Sequence, residues 1–434
     1  MSRTTQKSRF WLALVVFGLT GQVAWVVENM YFNVFIYKMF NASASQISAM
    51  VSASAVAATL TTVLIGALSD KIGRRKVFIC VGYILWGLSI AAFALVRVDV
   101  LSGLFSVTTA AALGVTITII LDCVMTFFGS SANDACFNAW LTDSTDHTNR
   151  GAAEGINAMM PLVAILAVFG GFMGFDLDKA SSWTTIFLII GGAVILIGVL
   201  GLFLIKDTAV KIPENDHYFA NIIYGFRPSV MRQNKVLYAT LIAFAVFGIS
   251  IQIFMPYLIL YYQVSLQMDN YVLIMAPAII LASVATAFYG RLYDRVGFAR
   301  SAVPALGLLL MGYGVLYFFR ATAPVFIGSL LMMTGYLAGM AVFGAMLRDH
   351  TPENKAGMFQ GLRIVGQVLI PGIIGPIIGA AVLKNADTIV NDDGTTSFVP
   401  NVHIFLAAAV VAVVVFVVLI PILKLKKGEN THED

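Results

Sequence analysis

Apolar stretches of about 20 residues, long enough to cross a hydrocarbon core of about 30 Å, recur along the whole chain between short polar breaks. Twelve spans can be drawn: 10–37, 45–69, 77–97, 116–142, 151–174, 183–205, 236–263, 270–293, 301–319, 323–348, 356–383 and 402–423. The short alternating segments of a transmembrane β-barrel do not occur. The pattern predicts an all-α membrane protein. Its longest polar interval, KDTAVKIPENDHYFANIIYGFRPSVMRQNK, divides the spans six and six. Residues 1–205 and 236–434 thus read as two six-helix halves, with 206–235 as a linker. Within it, FANIIYGF reads either as a short helix lying on the membrane surface, limited by Pro228, or as plain tether.

Composition removes the soluble alternative. The 434 residues are 59% hydrophobic and 12% charged, with mean hydropathy +0.87, whereas soluble chains carry about 25% charged residues. Charge then sets orientation, because cytoplasmic loops hold the excess of Lys and Arg. With the N-terminus inside, all but five of the 27 basic residues are cytoplasmic, the exceptions being Lys38, Arg97, Lys179, Arg320 and Lys384. Miscounting by one span would destroy that asymmetry. Both termini are therefore expected in the cytoplasm, with the chain integral to the cell membrane, plasma or inner. The net charge of +4 belongs to these loops and indicates no nucleic-acid partner.

The first apolar run is too long, and too polar at its far end, for a signal peptide. Cys80, Cys123 and Cys136 lie within spans at spacings unlike a metal motif, and the five histidines do not cluster. Nothing arranges a nucleophile with a base or cradles a phosphate. An enzyme is not expected, nor a cofactor or a metal.

The two halves repeat. GALSDKIGRRK (66–76), after the second span, aligns with GRLYDRVGFAR (290–300), after the eighth, at an offset of 224. LTDSTDHTNRGAAEG (141–155) aligns with LRDHTPENKAGMFQG (347–361) at an offset of 206. The difference of 18 places an insertion in VDVLSGLFSVTTAAALGV (98–115), expected as an outer connection or re-entrant piece.

These loops carry a resemblance. GALSDKIGRRK fits the loop signature G-x-L-[AS]-D-[RK]-x-G-R-[RK] of the major facilitator superfamily, and the second half holds a degenerate copy. Within that superfamily, the acidic first span and FFGSSANDACFNAWLTD (127–143) resemble the glycoside–pentoside–hexuronide:cation symporters and related proton–sugar symporters. A basic residue that some of those symporters carry in the eleventh span is missing here, Arg363 lying near its cytoplasmic end and Gln367 further in. The choice between H+ and Na+ is left open. The resemblance implies the major facilitator fold and alternating access. It implies that Asp70 caps the eleventh span, that Arg74 pairs with an acid such as Asp143, and that Asp294 acts likewise on the fifth. Glu154, Arg295, Asp349 and Arg363 complete the expected gate. IPGIIGPIIG (370–379) in the eleventh span reads as a hinge or as a close-packing seam.

Spans 1, 4, 7 and 10 line the cavity in this superfamily, while 3, 6, 9 and 12 face lipid. The sequence agrees: the sixth and twelfth spans are almost wholly apolar, whereas Glu28, Asp122 and Asp134 lie in the first and fourth. Glu28 is expected roughly 13 Å deep and Asp122 roughly 9 Å, at a helical rise of about 1.5 Å per residue. Two carboxylates facing each other in a low dielectric cannot both ionise cheaply, so one holds a proton or shares a cation. Glu28 and Asp122 are the expected coupling pair, on a helix rotation that lets them face each other; the other reading of Glu28 is a structural acid hydrogen-bonded to Asn29 or to another helix. Gln22, Trp25, Asn29 and Asn33 share a stripe with Glu28, and Thr126 and Asn133 share one with Asp122. With Asp134, Gln252, Tyr257 and Tyr261 they are the expected substrate contacts, suited to a hydroxyl-rich ligand. The expectation is a monomeric secondary transporter whose partners are a small-molecule substrate, a coupling cation and the bilayer. Cation-driven sugar or glycoside symport leads; a proton-coupled exporter of lipophilic or drug-like compounds is the alternative.

Overall fold

The computed structural model describes residues 3–103, 105–145, 149–206, 224–268, 270–351, 356–391 and 394–430. Among them, eleven helices are long and apolar enough to cross a membrane. They are α1 (Ser8–Phe40), α2 (Ala44–Ile72), α3 (Arg75–Leu95), α4 (Thr109–Asp143), α5 (Gly155–Phe172) and α6 (Ala180–Leu204). There follow α7 (Lys235–Ser265), α8 (Val272–Phe318), α9 (Thr322–Asp349), α10 (Gly361–Val382) and α11 (His403–Ile420). Helices dominate because, in lipid, every backbone N–H and C=O must be paired within the segment. The 47-residue α8 holds two predicted spans, the eighth and the ninth. Gly297 interrupts it with φ 76° and ψ −179°, a backbone that side chains resist. The twelve-span, all-helical architecture follows.

The chain forms two compact units, one of residues 1–46 and 53–218, the other of residues 47–52 and 219–434. In the first unit, α2 opens with a capping box. Ser43 Oγ accepts from the Gln46 N–H at 3.3 Å, and the Ser43 N–H donates to Gln46 Oε1 at 2.8 Å. α3 and α6 meet backbone to backbone: a Cβ on Gly87 would lie 2.5 Å from the Gly191 carbonyl oxygen. The second unit repeats the device, since a Cβ on Gly312 in α8 would lie 2.4 Å from the Met332 nitrogen in α9. Such seams of small residues let helices approach closely where lipid supplies no hydrophobic drive. The seam reading also describes IPGIIGPIIG, because Gly375 and Gly379 lie against Gln252, Ile253 and Tyr257 of α7.

Three expectations change. The 98–115 insertion is only partly a connection: a short helix covers Val98–Leu101, but a continuous helix already begins at Val107. Its Ala-rich start is capped by Ser106, whose Oγ accepts from the Thr109 N–H at 3.4 Å. Asp122 therefore sits well inside a helix, not near its outer start. In the linker, short helices cover Tyr224–Phe226 and Pro228–Gln233, while residues 207–223 lie outside the described residues. A small hairpin not foreseen, β1 (Thr388–Val390) against β2 (Thr396–Phe398), joins α10 to α11 with Thr388 opposite Phe398. Strands this short leave no readable alternation.

Candidate functional site

The polar residues of α1 and α4 coincide with irregular backbone. A π-helical turn covers Val27–Tyr31 in α1 and another Ser130–Phe137 in α4. Similar turns occur at Tyr261–Ser265 in α7 and Val365–Leu369 in α10. A π turn inserts a residue and rotates the face that follows, and it recurs at functional positions in proteins. In the α1 turn Glu28 lies inward, 7% exposed, and its neighbour Asn29 is exposed.

Glu28 is the centre of a hydroxyl–carboxylate cluster built by α1, α2 and α4. Its Oε1 accepts from Ser54 Oγ at 2.6 Å and from Thr126 Oγ1 at 2.7 Å, and those two hydroxyls lie 2.8 Å apart. Asp122, 1% exposed and one helical turn before Thr126, is near enough for its charge to act on Glu28. The remaining oxygens, Glu28 Oε2 and Asp122 Oδ1, have no hydrogen-bond partner among the described residues. No Lys or Arg forms an ion pair with either acid among those residues. Two buried carboxyl groups, each with a bare oxygen and no basic side chain, form a site electrostatically complementary to a small cation. Ser54 escaped sequence reasoning because a hydroxyl in an Ala- and Thr-rich helix has no pattern to single it out.

Asp134 stands within the α4 π turn. Its Oδ2 accepts from Ser130 Oγ at 3.0 Å, and the Trp25 indole lies beside it. Trp25 is half-buried, its ring 5.0 Å from that of Trp86. Gly129 is required beneath them, since a Cβ there would come within 2.7 Å of Trp86. Gln22 is half-buried on the same helix.

Other expected contacts are hydrogen-bonded or packed within their own unit. Asn133 is 3% exposed and donates to Tyr83 Oη at 2.6 Å, while that phenol donates to the Phe17 carbonyl at 2.9 Å. Asn29 and Asn33 donate to the carbonyls of Trp25 and Asn29, one turn back, at 2.8 and 3.1 Å; Asn33 Oδ1 is buried with no partner among the described residues. In the second unit Tyr257 and Tyr261 lie in the packed core. Tyr261 sits 5.1 Å from the Phe405 ring, and Tyr257 packs against Gly379. Gln252 is half-buried against Gly375.

The loop expected to act as a gate in the first unit is built differently from the expectation. Arg75, not Arg74, is the inward residue, at 4% exposure. It pairs with Asp70, reaches Asp143 from Nε at 3.2 Å and donates from Nη1 to Ser69 Oγ at 2.5 Å. Arg74 is exposed, because the left-handed Gly73 (φ 70°) ends α2 and Arg74 is the non-helical residue before α3. In the second unit Asp294 and Arg295 are exposed, and it is Tyr293 that hydrogen-bonds Asp349. Tyr293 stands at the repeat position of Ser69, whereas Arg75 aligns with Ala299. Arg363 is half-buried, its Nε without a partner among the described residues. The Glu154 side chain lies outside the described residues.

The chain is thus a polytopic helical membrane protein with a buried acidic cluster in its first unit. The sequence matches the Major Facilitator Superfamily over residues 10–342, and the chain belongs to that family. No curated protein matches it. Among solved structures it is similar to a single-substitution variant of the nucleoside transporter NupG: TM-score 0.73, 13% identity, covering 94% of this chain and 99% of that one. It is also similar to a bacterial homologue of the human lysosomal transporter Spinster, with TM-score 0.68, 15% identity and coverage of 97% and 96%. The xylose transporter XylE from E. coli gives TM-score 0.65, 14% identity and coverage of 94% and 97%. These likenesses are of fold.

Proposed function

We propose that this transporter couples a sugar or glycoside to an inward gradient of H+ or Na+, with both termini cytoplasmic, in the manner of the glycoside–pentoside–hexuronide:cation symporters. The observation that carries the reading is the Glu28–Asp122 cluster, with its two bare carboxyl oxygens. An unpaired carboxylate at membrane depth is destabilising by at least about 2.5 kcal/mol, so such groups mark ion pathways. A cation is the ligand that relieves the penalty. Ser54 and Thr126 orient Glu28 through Oε1, and Oε2 is buried with no hydrogen-bond partner among the described residues. Sugar is favoured over a lipophilic cargo by the polar residues beside the cluster: Asp134, the Trp25 ring, Gln22 and the exposed Asn29. Fold relatives that carry xylose and nucleosides support hydroxyl-rich cargo by analogy only. The Arg75–Asp70–Asp143 node serves as the first-half gate.

The test is uptake by proteoliposomes of a labelled sugar and glycoside panel under imposed H+ or Na+ gradients. Uphill accumulation that collapses when the gradient is dissipated is expected. Expulsion of lipophilic compounds, with no sugar accumulated under either gradient, refutes the reading.

A further inference from the structure

Away from the carboxylate cluster, the first unit holds a cavity of about 390 Å³, within the roughly 300–1,000 Å³ of small-molecule sites. The ends of α1 and α3 and the start of α6 enclose it. Phe35, Met39, Phe93, Val96 and Trp183 make most of its wall apolar. Its polar edge is an ion pair in the loop after α3: Arg97 donates from Nε and Nη2 to the two carboxylate oxygens of Asp99, at 2.9 and 2.6 Å.

Three features identify the occupant. First, the cavity lies beside two helices that expose apolar residues: Leu95 at the end of α3, next in sequence to the lining residue Val96, is 73% exposed, and Leu188 on α6 is 53% exposed. Such faces belong in lipid. Second, Trp183 in the wall donates its indole N–H to the Leu177 carbonyl in the loop before α6, and the cavity lies where the apolar spans α1 and α3 end and α6 begins, the level at which hydrocarbon gives way to headgroups. Third, Arg97 and Asp99 present both signs of charge side by side, 34% and 60% exposed. Their mutual hydrogen bonds hold the Asp99 carboxyl below its ordinary range, so both are ionised at neutral pH. A guanidinium has five N–H donors, and the pair uses two, leaving three for a phosphate. The Asp99 carboxylate faces an ammonium of opposite sign.

We propose that this cavity binds one phospholipid with a zwitterionic ammonium–phosphate headgroup, its phosphate on Arg97, its ammonium on Asp99, and its upper chain against Phe35, Phe93 and Trp183. A water-soluble sugar does not match so apolar a wall, and an anionic headgroup meets the Asp99 carboxylate.

Native mass spectrometry of the purified protein, equilibrated with equal amounts of phosphatidylethanolamine, phosphatidylcholine and phosphatidylglycerol, tests the assignment. One zwitterionic lipid retained per chain is expected. Ala180→Phe, which fills the cavity from the first turn of α6, is expected to lower retention at least tenfold. The exposed double change Arg97→Gln with Asp99→Asn is expected to remove the preference over phosphatidylglycerol and provides an arm that does not depend on packing. Equal retention by the wild type and both variants, preferential retention of phosphatidylglycerol, or no retained lipid overturns the proposal.

Discussion

Replacing Glu28 with Gln separates a working acid from a structural one. Gln keeps the shape and an oxygen acceptor for Ser54 and Thr126, removes the charge, and puts an amide NH2 in place of Oε2. Hydrogen bonds to a charged group contribute about 1.5–3 kcal/mol each and neutral ones about 0.5–1.5. Two bonds reach Oε1, so the change weakens the network by about 2–3 kcal/mol. Against this, an uncompensated charge in a span no longer has to be buried, which returns about 2.5–3.5 kcal/mol. The two terms nearly cancel. At about 2–4 °C per kcal/mol for units of this size, Tm should move by only a few degrees. Uphill accumulation should fall to simple equilibration, because the cation has lost its ligand. The assays are thermal denaturation in detergent and gradient-driven uptake in proteoliposomes on the same preparations. Were Glu28 half of a hidden ion pair, breaking it would be destabilising by about 3–5 kcal/mol, a fall of roughly 6–20 °C. That fall, or undiminished uphill uptake by the variant, refutes the argument.

Other expectations follow from the same structure. Thr126→Val should lower stability by about 1.5–3 kcal/mol in the wild type and by less in the Glu28→Gln background, a coupling that a double-mutant cycle in thermal unfolding measures. Arg75→Ala should destabilise by about 2–3 kcal/mol, below the range for fully buried pairs because Asp70 and Asp143 keep some water, whereas Arg74→Ala should stay within about 0.5 kcal/mol; equal effects in melting experiments would reject the corrected gate. Gly312→Ala should cost about 1–3 kcal/mol by forcing α8 from α9. Gly314→Ala, with nothing within 4 Å, should be neutral or stabilising when the two melting temperatures are compared.

The spans and the family were legible in the chain, because hydropathy acts locally and each segment must satisfy its own backbone in lipid. The eighth and ninth spans were separable by sequence although α8 runs almost unbroken, since the charged loop RLYDRVGFAR cannot lie in hydrocarbon. That Glu28 and Asp122 are exceptional was also legible, an acid in an apolar run being costly wherever the helix points. Tertiary structure alone decided what they touch. Asn29 and Asn33 were expected on the Glu28 stripe, but Glu28 is buried and Asn29 exposed, adjacent helical residues not sharing a face, and the π turn at Val27–Tyr31 leaves no mark in the letters. Adjacent arginines in GRRK are equivalent as text. The left-handed turn at Gly73 and the start of α3 make Arg75 the buried one. Ser54 became a partner of Glu28 only when α2 was laid across α1 and α4, bringing together groups 26 and 72 residues apart. Periodicity records which face of a helix is apolar. Which neighbour that face meets is a property of packing between helices, and no single helix carries it.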